Sequence, residues 1–142
     1  MWRRRLIIAS SGVAILTVAV LTAFWQTGRL HGLWFRWTGS EMAFYQAMFR
    51  GTRNGDTRES LESLIGAGKT LDAGGQALYA RIMKEFEDEK RPDAPDGYRA
   101  GDVFVQYKTG AYFSCFQFRN GRLVNHDPAA FEKLQPFSAL SR

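Results

Sequence analysis

Residues Leu6 to Trp25 (LIIASSGVAILTVAVLTAFW) carry no charged side chain. Wound as a helix, their leucines, isoleucines, valines and alanines would cover every face, which hydrocarbon demands and an aqueous core helix seldom needs. At about 1.5 Å per residue such a helix is roughly 30 Å long, the thickness of a bilayer's hydrocarbon layer. The stretch reads as a transmembrane anchor, residues 6–25, and it constrains everything that follows it.

The flanks suggest an orientation. Met1 to Arg5 (MWRRR) places Arg3, Arg4 and Arg5 directly before the span. Under the positive-inside rule residues 1–5 are cytoplasmic and the chain after Trp25 is extracytoplasmic, periplasmic or extracellular. Arg29 and Arg36 follow on the far side, so the bias is small and the inverted topology stays open. A cleaved signal peptide begins in the same way, but cleavage wants small residues at the end of the apolar run. Here Leu21 stands two places before Ala23 and the run continues into Phe24, Trp25 and Gln26, which favours an uncleaved, single-pass signal-anchor. The Arg3-Arg4-Arg5-Leu6-Ile7 run also fits the loose outline of a twin-arginine export signal, as many basic flanks do. Lipid attachment at a cleavage site would need a cysteine there, and the chain's one cysteine is Cys115.

Tryptophans mark both edges: Trp2 before the span, then Trp25, Trp34 and Trp37 after it. Indole rings favour the headgroup level, where an apolar body and an N–H donor are both accommodated. Residues 26–38, including GRLHGLWFRWT, therefore read as a juxtamembrane interfacial segment with a solvated His31. The other reading is a plain linker whose tryptophans pack on the soluble domain.

Net charge is +5, a value that could suggest nucleic acid. Arg3, Arg4, Arg5, Arg29 and Arg36 are the only charged residues before Thr38, which leaves fourteen basic and fourteen acidic side chains beyond it. The excess belongs to the anchor, where it orients a helix and meets anionic headgroups. No basic stripe remains to follow a phosphate backbone, so the expected partners are the lipid bilayer and an envelope protein, with no nucleic acid.

Residues 39–142 suffice for one domain with a modest core. Ser40 to Arg50 places Met42, Phe44, Tyr45, Met48 and Phe49 on a broad apolar face, a helix capped by Ser40 with Gly51 past its end. Asp56-Thr57-Arg58-Glu59 has the spacing of a capping box and should open a short helix that stops at Gly66. Gly66-Ala67-Gly68-Lys69-Thr70 ends like a phosphate-binding loop, but that motif needs glycine where Ser63 stands, and a strand before it. It reads instead as a flexible connection, the paired Gly74 and Gly75 opposing immediate helix formation. Gln76 to Lys90 is the longest helix of the domain, with Leu78, Ile82 and Phe86 as a core-facing stripe and Glu85, Glu87, Asp88 and Glu89 as a solvated run.

The rhythm then changes to a period of two. Asp102 to Lys108, Ala111 to Arg119 and Arg122 to His126 read as a three-stranded antiparallel meander, with Asn120-Gly121 as a hairpin turn. In the middle strand Tyr112, Ser114, Phe116 and Phe118 should meet the helices, while Phe113, Cys115, Gln117 and Arg119 form a partly wet face. Phe113, with Gln117 and Arg119, is the expected partner-contact surface. Pro128 to Leu134 should add a terminal helical turn or two. The expected architecture is thus α+β: an N-terminal transmembrane helix, then a small two-layer domain with helices packed on the meander.

Gly55-Asp56-Thr57 before a short helix ending Leu64-Ile65-Gly66, with a later sheet carrying Phe118-Arg119-Asn120-Gly121-Arg122-Leu123, resembles the SmpA/OmlA-like envelope modules, whose two-layer fold is shared with β-lactamase inhibitor protein domains. The resemblance covers about Thr52 to Asp127. The chain departs from the family in lacking the lipid-attachment cysteine, in having Ala67-Gly68 where a proline often follows the helix-ending glycine, and in inserting the Gln76 to Lys90 helix. The resemblance implies a non-catalytic binding or assembly role at the cell envelope and transfers no functional residue.

Catalytic and metal-binding spacings such as G-x-S-x-G, H-E-x-x-H and C-x-x-C are missing from the sequence, and no cofactor is expected. A lone cysteine excludes an internal disulfide and is usually inert packing. The preferred function is a membrane-anchored, non-catalytic binding or scaffold module. The alternative is a small membrane-associated enzyme or enzyme regulator with a polar site around His126 and Asp127, joined by Cys115 if the fold brings it near.

Overall fold

Backbone hydrogen bonding carries α1 (Trp2–Gln26) unbroken through the whole uncharged stretch in a computed structural model of the chain. The structure describes residues 2–91, 94–109 and 112–132, with side chains from Val13 onward except those of Tyr112 and Glu132. The side chains of Trp2, Arg3, Arg4 and Arg5, and the expected helical residue Leu134, lie outside the described set. Among the described residues no single helix is long and apolar enough to cross a membrane. Val13–Gln26 and Arg29–Thr38 meet that length and hydropathy only together, as a pair bent by 73°.

The bend falls at Gly28, whose φ of 71° is left-handed and suits glycine. It opens α2 (Arg29–Thr38), which ends at Gly39. Next come α3 (Glu41–Gly51) and α4 (Arg58–Ile65). Ser40 caps α3 as expected, accepting from the Ala43 N–H. At α4 the cap is Thr57, not Asp56: Thr57 accepts from Ser60 N–H, while the Asp56 carboxylate accepts from the Arg53 N–H at 2.8 Å and closes the preceding turn.

Among the described residues the sheet holds four antiparallel strands in sequence order, one more than expected. They are β1 (Lys69–Thr70), β2 (Val103–Thr109), β3 (Tyr112–Arg119) and β4 (Arg122–Val124). The stretch expected to be a flexible connection supplies β1, Lys69 pairing with Gln106 and Thr70 with Val105. A two-residue strand leaves no periodic trace, so only its partner reveals it. Asn120 and Gly121, both at positive φ, make the tight β3–β4 turn.

Between β1 and β2 lies α5 (Ala73–Asp88), which starts three residues earlier than expected. Gly74 and Gly75 fall in the first turn, where N–H groups lack intrahelical partners, and Asp72 accepts from Gly75 N–H at 2.8 Å. The cap outweighs the poor helix propensity of the glycines. A final turn, α6 (Pro128–Glu132), closes the described chain.

One core lies between α2, α3 and α4 and the face of the sheet that carries Val105, Tyr107, Phe116, Phe118 and Leu123. Phe44 and Met48 of α3 and Leu61 of α4 are completely or almost completely buried there. Phe35 of α2 joins the same cluster, so the packed unit reaches back into residues expected to lie outside the domain. Close approach explains how. A Cβ at Gly28 would stand 2.9 Å from the Ala47 carbonyl oxygen, and one at Gly32 would run into the Leu64 carbonyl. Glycine at both positions lets α2 lie backbone to backbone on α3 and α4.

The opposite sheet face is partly covered by α5, which packs on β2, giving helices on both faces where two layers were expected. Gln76 bonds the Phe104 backbone N–H and C=O, both at 2.8 Å, and the Tyr79 ring meets the Phe104 ring at 5.7 Å. No residue of α5 is fully buried and Leu78 is exposed, so its stripe is less core-facing than its spacing suggests.

Candidate functional site

With Gly28, Gly32 and Phe35 turned inward, α2 presents Leu30, Leu33, Trp34 and Trp37 to the outside. Their spacing of three, four and seven is one helical stripe, and they line a common shallow groove. Trp34 is 57% and Trp37 89% exposed. On α1, Val13, Ile15, Leu16, Val18, Val20, Leu21 and Trp25 are exposed as well. An apolar surface of this extent is unusual on a water-facing protein.

Arginines ring the bend. The Arg29 guanidinium lies over the Phe24 ring at 5.9 Å, and that of Arg50 over Trp25 at 5.8 Å. Arg36 donates to the Ser63 carbonyl at 3.2 Å. None of the three pairs with a carboxylate among the described residues. His31, expected to be solvated, instead packs on Trp25 with ring centroids 4.4 Å apart. Burial, then the Arg50 charge, lowers its pKa, so the ring is neutral at pH 7.

On the sheet face expected to be partly wet, the three contact residues part company. Phe113 is 59% exposed, whereas Gln117 is only 3% exposed. Arg119 holds Asp102 with two bonds, Nε to Oδ1 at 2.9 Å and Nη2 to Oδ2 at 2.8 Å. Gln117 donates to Asp102 Oδ2 and to the Gly97 carbonyl, and accepts from Asn125. Burial alone would raise the Asp102 pKa; the bonds from Arg119, the Arg99 N–H and Gln117 outweigh it and hold the carboxyl below its usual value. Gln117 and Arg119 thus fasten the 97–102 loop to the sheet, and Phe113 alone remains open.

His126, Asp127 and Cys115 do not form a cluster. His126 packs against Phe116 and Phe131 beside the main core, while Cys115 lies on the other sheet face next to Tyr79. Burial pushes the Cys115 thiol up to about 12, which keeps it protonated and unreactive. His126 is 5% exposed, and neither ring nitrogen has a well-formed hydrogen bond among the described residues. Burial and the Arg53 charge bring its pKa to about 4, against weaker opposing effects from Asp127, the Met48 backbone and Asp56. The Asp127 carboxylate accepts from the Ala129 N–H at the start of α6. Among the described residues no group of three His, Cys, Asp or Glu side chains is placed to hold a metal ion.

A comparison with protein-family models, curated proteins and solved structures finds no match to the chain. What the surfaces can do rests on their own chemistry. The spacing of Leu30, Leu33, Trp34 and Trp37 was present in the sequence; that the helix would turn this stripe outward was not, because the glycine contacts that decide it are with residues far along the chain. The burial of Gln117 and the pairing of Arg119 were hidden for the same reason, since Asp102 and Gly97 reach them only in the fold.

Proposed function

We propose that the chain is a single-pass membrane protein, anchored by α1 within residues 6–25, which holds its α+β domain directly on the bilayer surface as a non-catalytic binding or scaffold module. One observation carries this reading: α2 is packed into the domain by Gly28, Gly32 and Phe35, yet turns its tryptophan stripe outward beside the exposed side chains of α1. In water that stripe would be a liability; at a headgroup layer it is stabilising. With α1 near the membrane normal, a 73° bend lays α2 close to the membrane plane. The arginine-rich start favours a cytoplasmic N-terminus with the domain outside it, at the cell envelope, where the SmpA/OmlA-like resemblance implies the same kind of role.

The partner surface we assign is Phe113, exposed near the exposed Lys108 with which it pairs across the sheet. A reaction centre at His126 and Asp127 finds less support, because the imidazole is buried among phenylalanines and the carboxylate caps a helix. The test is co-purification from mildly solubilised membranes through a C-terminal tag. A defined protein recovered with wild type and lost with Phe113→Ala is the expected result. Recovery of the chain alone in both cases contradicts the scaffold role.

A further inference from the structure

Beside the α1–α2 bend lies a cavity of about 420 Å³, lined on one side by Phe24, Arg29 and Leu33 and on the other by Ser60, Ser63 and Leu64 of α4. Phe24, Leu33 and Leu64 supply its apolar lining, and Arg29, Ser60 and Ser63 its polar lining. Beyond its contact with the Phe24 ring, the Arg29 guanidinium makes no hydrogen bond or ion pair among the described residues, and the Ser60 hydroxyl is equally unengaged. The Ser63 hydroxyl is spent on the Ser60 carbonyl at 2.7 Å. No carboxylate lines the cavity among the described residues. Arg36, bonded to the Ser63 carbonyl, adds a second positive charge at the same turn of α4.

An unpaired guanidinium and a free hydroxyl suit a phosphate, and the apolar wall suits the first methylenes of an acyl chain. A zwitterionic headgroup would bring an ammonium into a cavity without a carboxylate to receive it; an anionic headgroup free of ammonium, such as phosphatidylglycerol, would not. We propose that this cavity binds the phosphate of an anionic glycerophospholipid from the leaflet in which α2 lies, with Arg29 as the ion partner and Ser60 as a hydroxyl donor. The lipid would fix the domain's rotation about the anchor as well as its height. This rests on the membrane-anchored reading above.

The full chain, purified in mild detergent, is titrated with phosphatidylglycerol or phosphatidylcholine, and retained lipid is counted by native mass spectrometry. Wild type is expected to keep one phosphatidylglycerol in preference to phosphatidylcholine by about ten-fold, because both phosphates can accept from Arg29 but only phosphatidylcholine brings a second cation beside it. Arg29→Gln should lose the preference, while Arg81→Gln on exposed α5 should keep it. Equal retention by wild type and Arg29→Gln overturns the site. Arg29-dependent binding of inorganic phosphate, with no retained lipid, overturns the lipid assignment in favour of a soluble phosphate. Alkaline carbonate extraction of membranes separates the two levels: chains that stay in the membrane but show no lipid preference count against the cavity alone, whereas release of both chains into the supernatant overturns the anchor itself.

Discussion

His126 shows how one side chain couples this fold to pH. Its folded pKa of about 4 lies below the ordinary 6.5, so the unfolded chain takes up the proton first as pH falls. Stability from this residue is complete above pH 6.5, declines as pH drops, and is lost by about pH 4. The shift corresponds to at most about 3 kcal/mol. Unfolding in micelles at pH 7 and pH 4.5 should show wild type losing stability, and His126→Leu, of similar volume and no charge, losing clearly less. An identical pH dependence in the two chains would mean that another group titrates there. Asp102 acts in the same direction but lower, because its depressed pKa withdraws stability only as pH falls through and below the usual carboxylate value of 3.8. The windows of the two residues therefore separate.

Elements that formed from local signals alone were legible in the sequence. Ser40 before α3, Gly66 after α4 and Asn120-Gly121 between β3 and β4 each satisfy a local backbone requirement, and each stands where it was expected. Elements that depend on a distant partner were not legible: β1 exists because Val105 and Gln106 offer it an edge, and α5 partly covers the second sheet face because Gln76 reaches Phe104. The placement of α2 is the most consequential of these. A methyl group at Gly32 would meet the Leu64 carbonyl, which belongs to a neighbouring helix backbone and has little room to yield. Gly32→Ala should cost about 1–3 kcal/mol, roughly 5–15 °C in the thermal midpoint of a domain this size. An unchanged midpoint would show that α2 is not clamped to α4 and that its outward stripe is not fixed.

At the scale of the whole molecule, α2 ties α1 to the domain. The bend at Gly28 is held by α3, the inward face of α2 enters the core, and its outward face is exposed, as are the described apolar side chains of α1. The sequence made the apolar stretch and the aromatic flank plain, because composition alone marks them. It left open whether the tryptophans pack on the domain or face away from it, because that depends on which side of α2 the glycines dock. All four tryptophans of the chain are Trp2, Trp25, Trp34 and Trp37, so tryptophan fluorescence, excited where tyrosine does not absorb, reports on this region and nowhere else. The most direct measurement uses the full chain carrying Trp2→Phe and Trp25→Phe in liposomes, with emission from Trp34 and Trp37 quenched either by phospholipids brominated near the headgroup or by aqueous iodide. Strong quenching by the brominated lipid and weak quenching by iodide is the expected result. Strong iodide quenching with emission untouched by brominated lipid would contradict a domain seated on the membrane through α2.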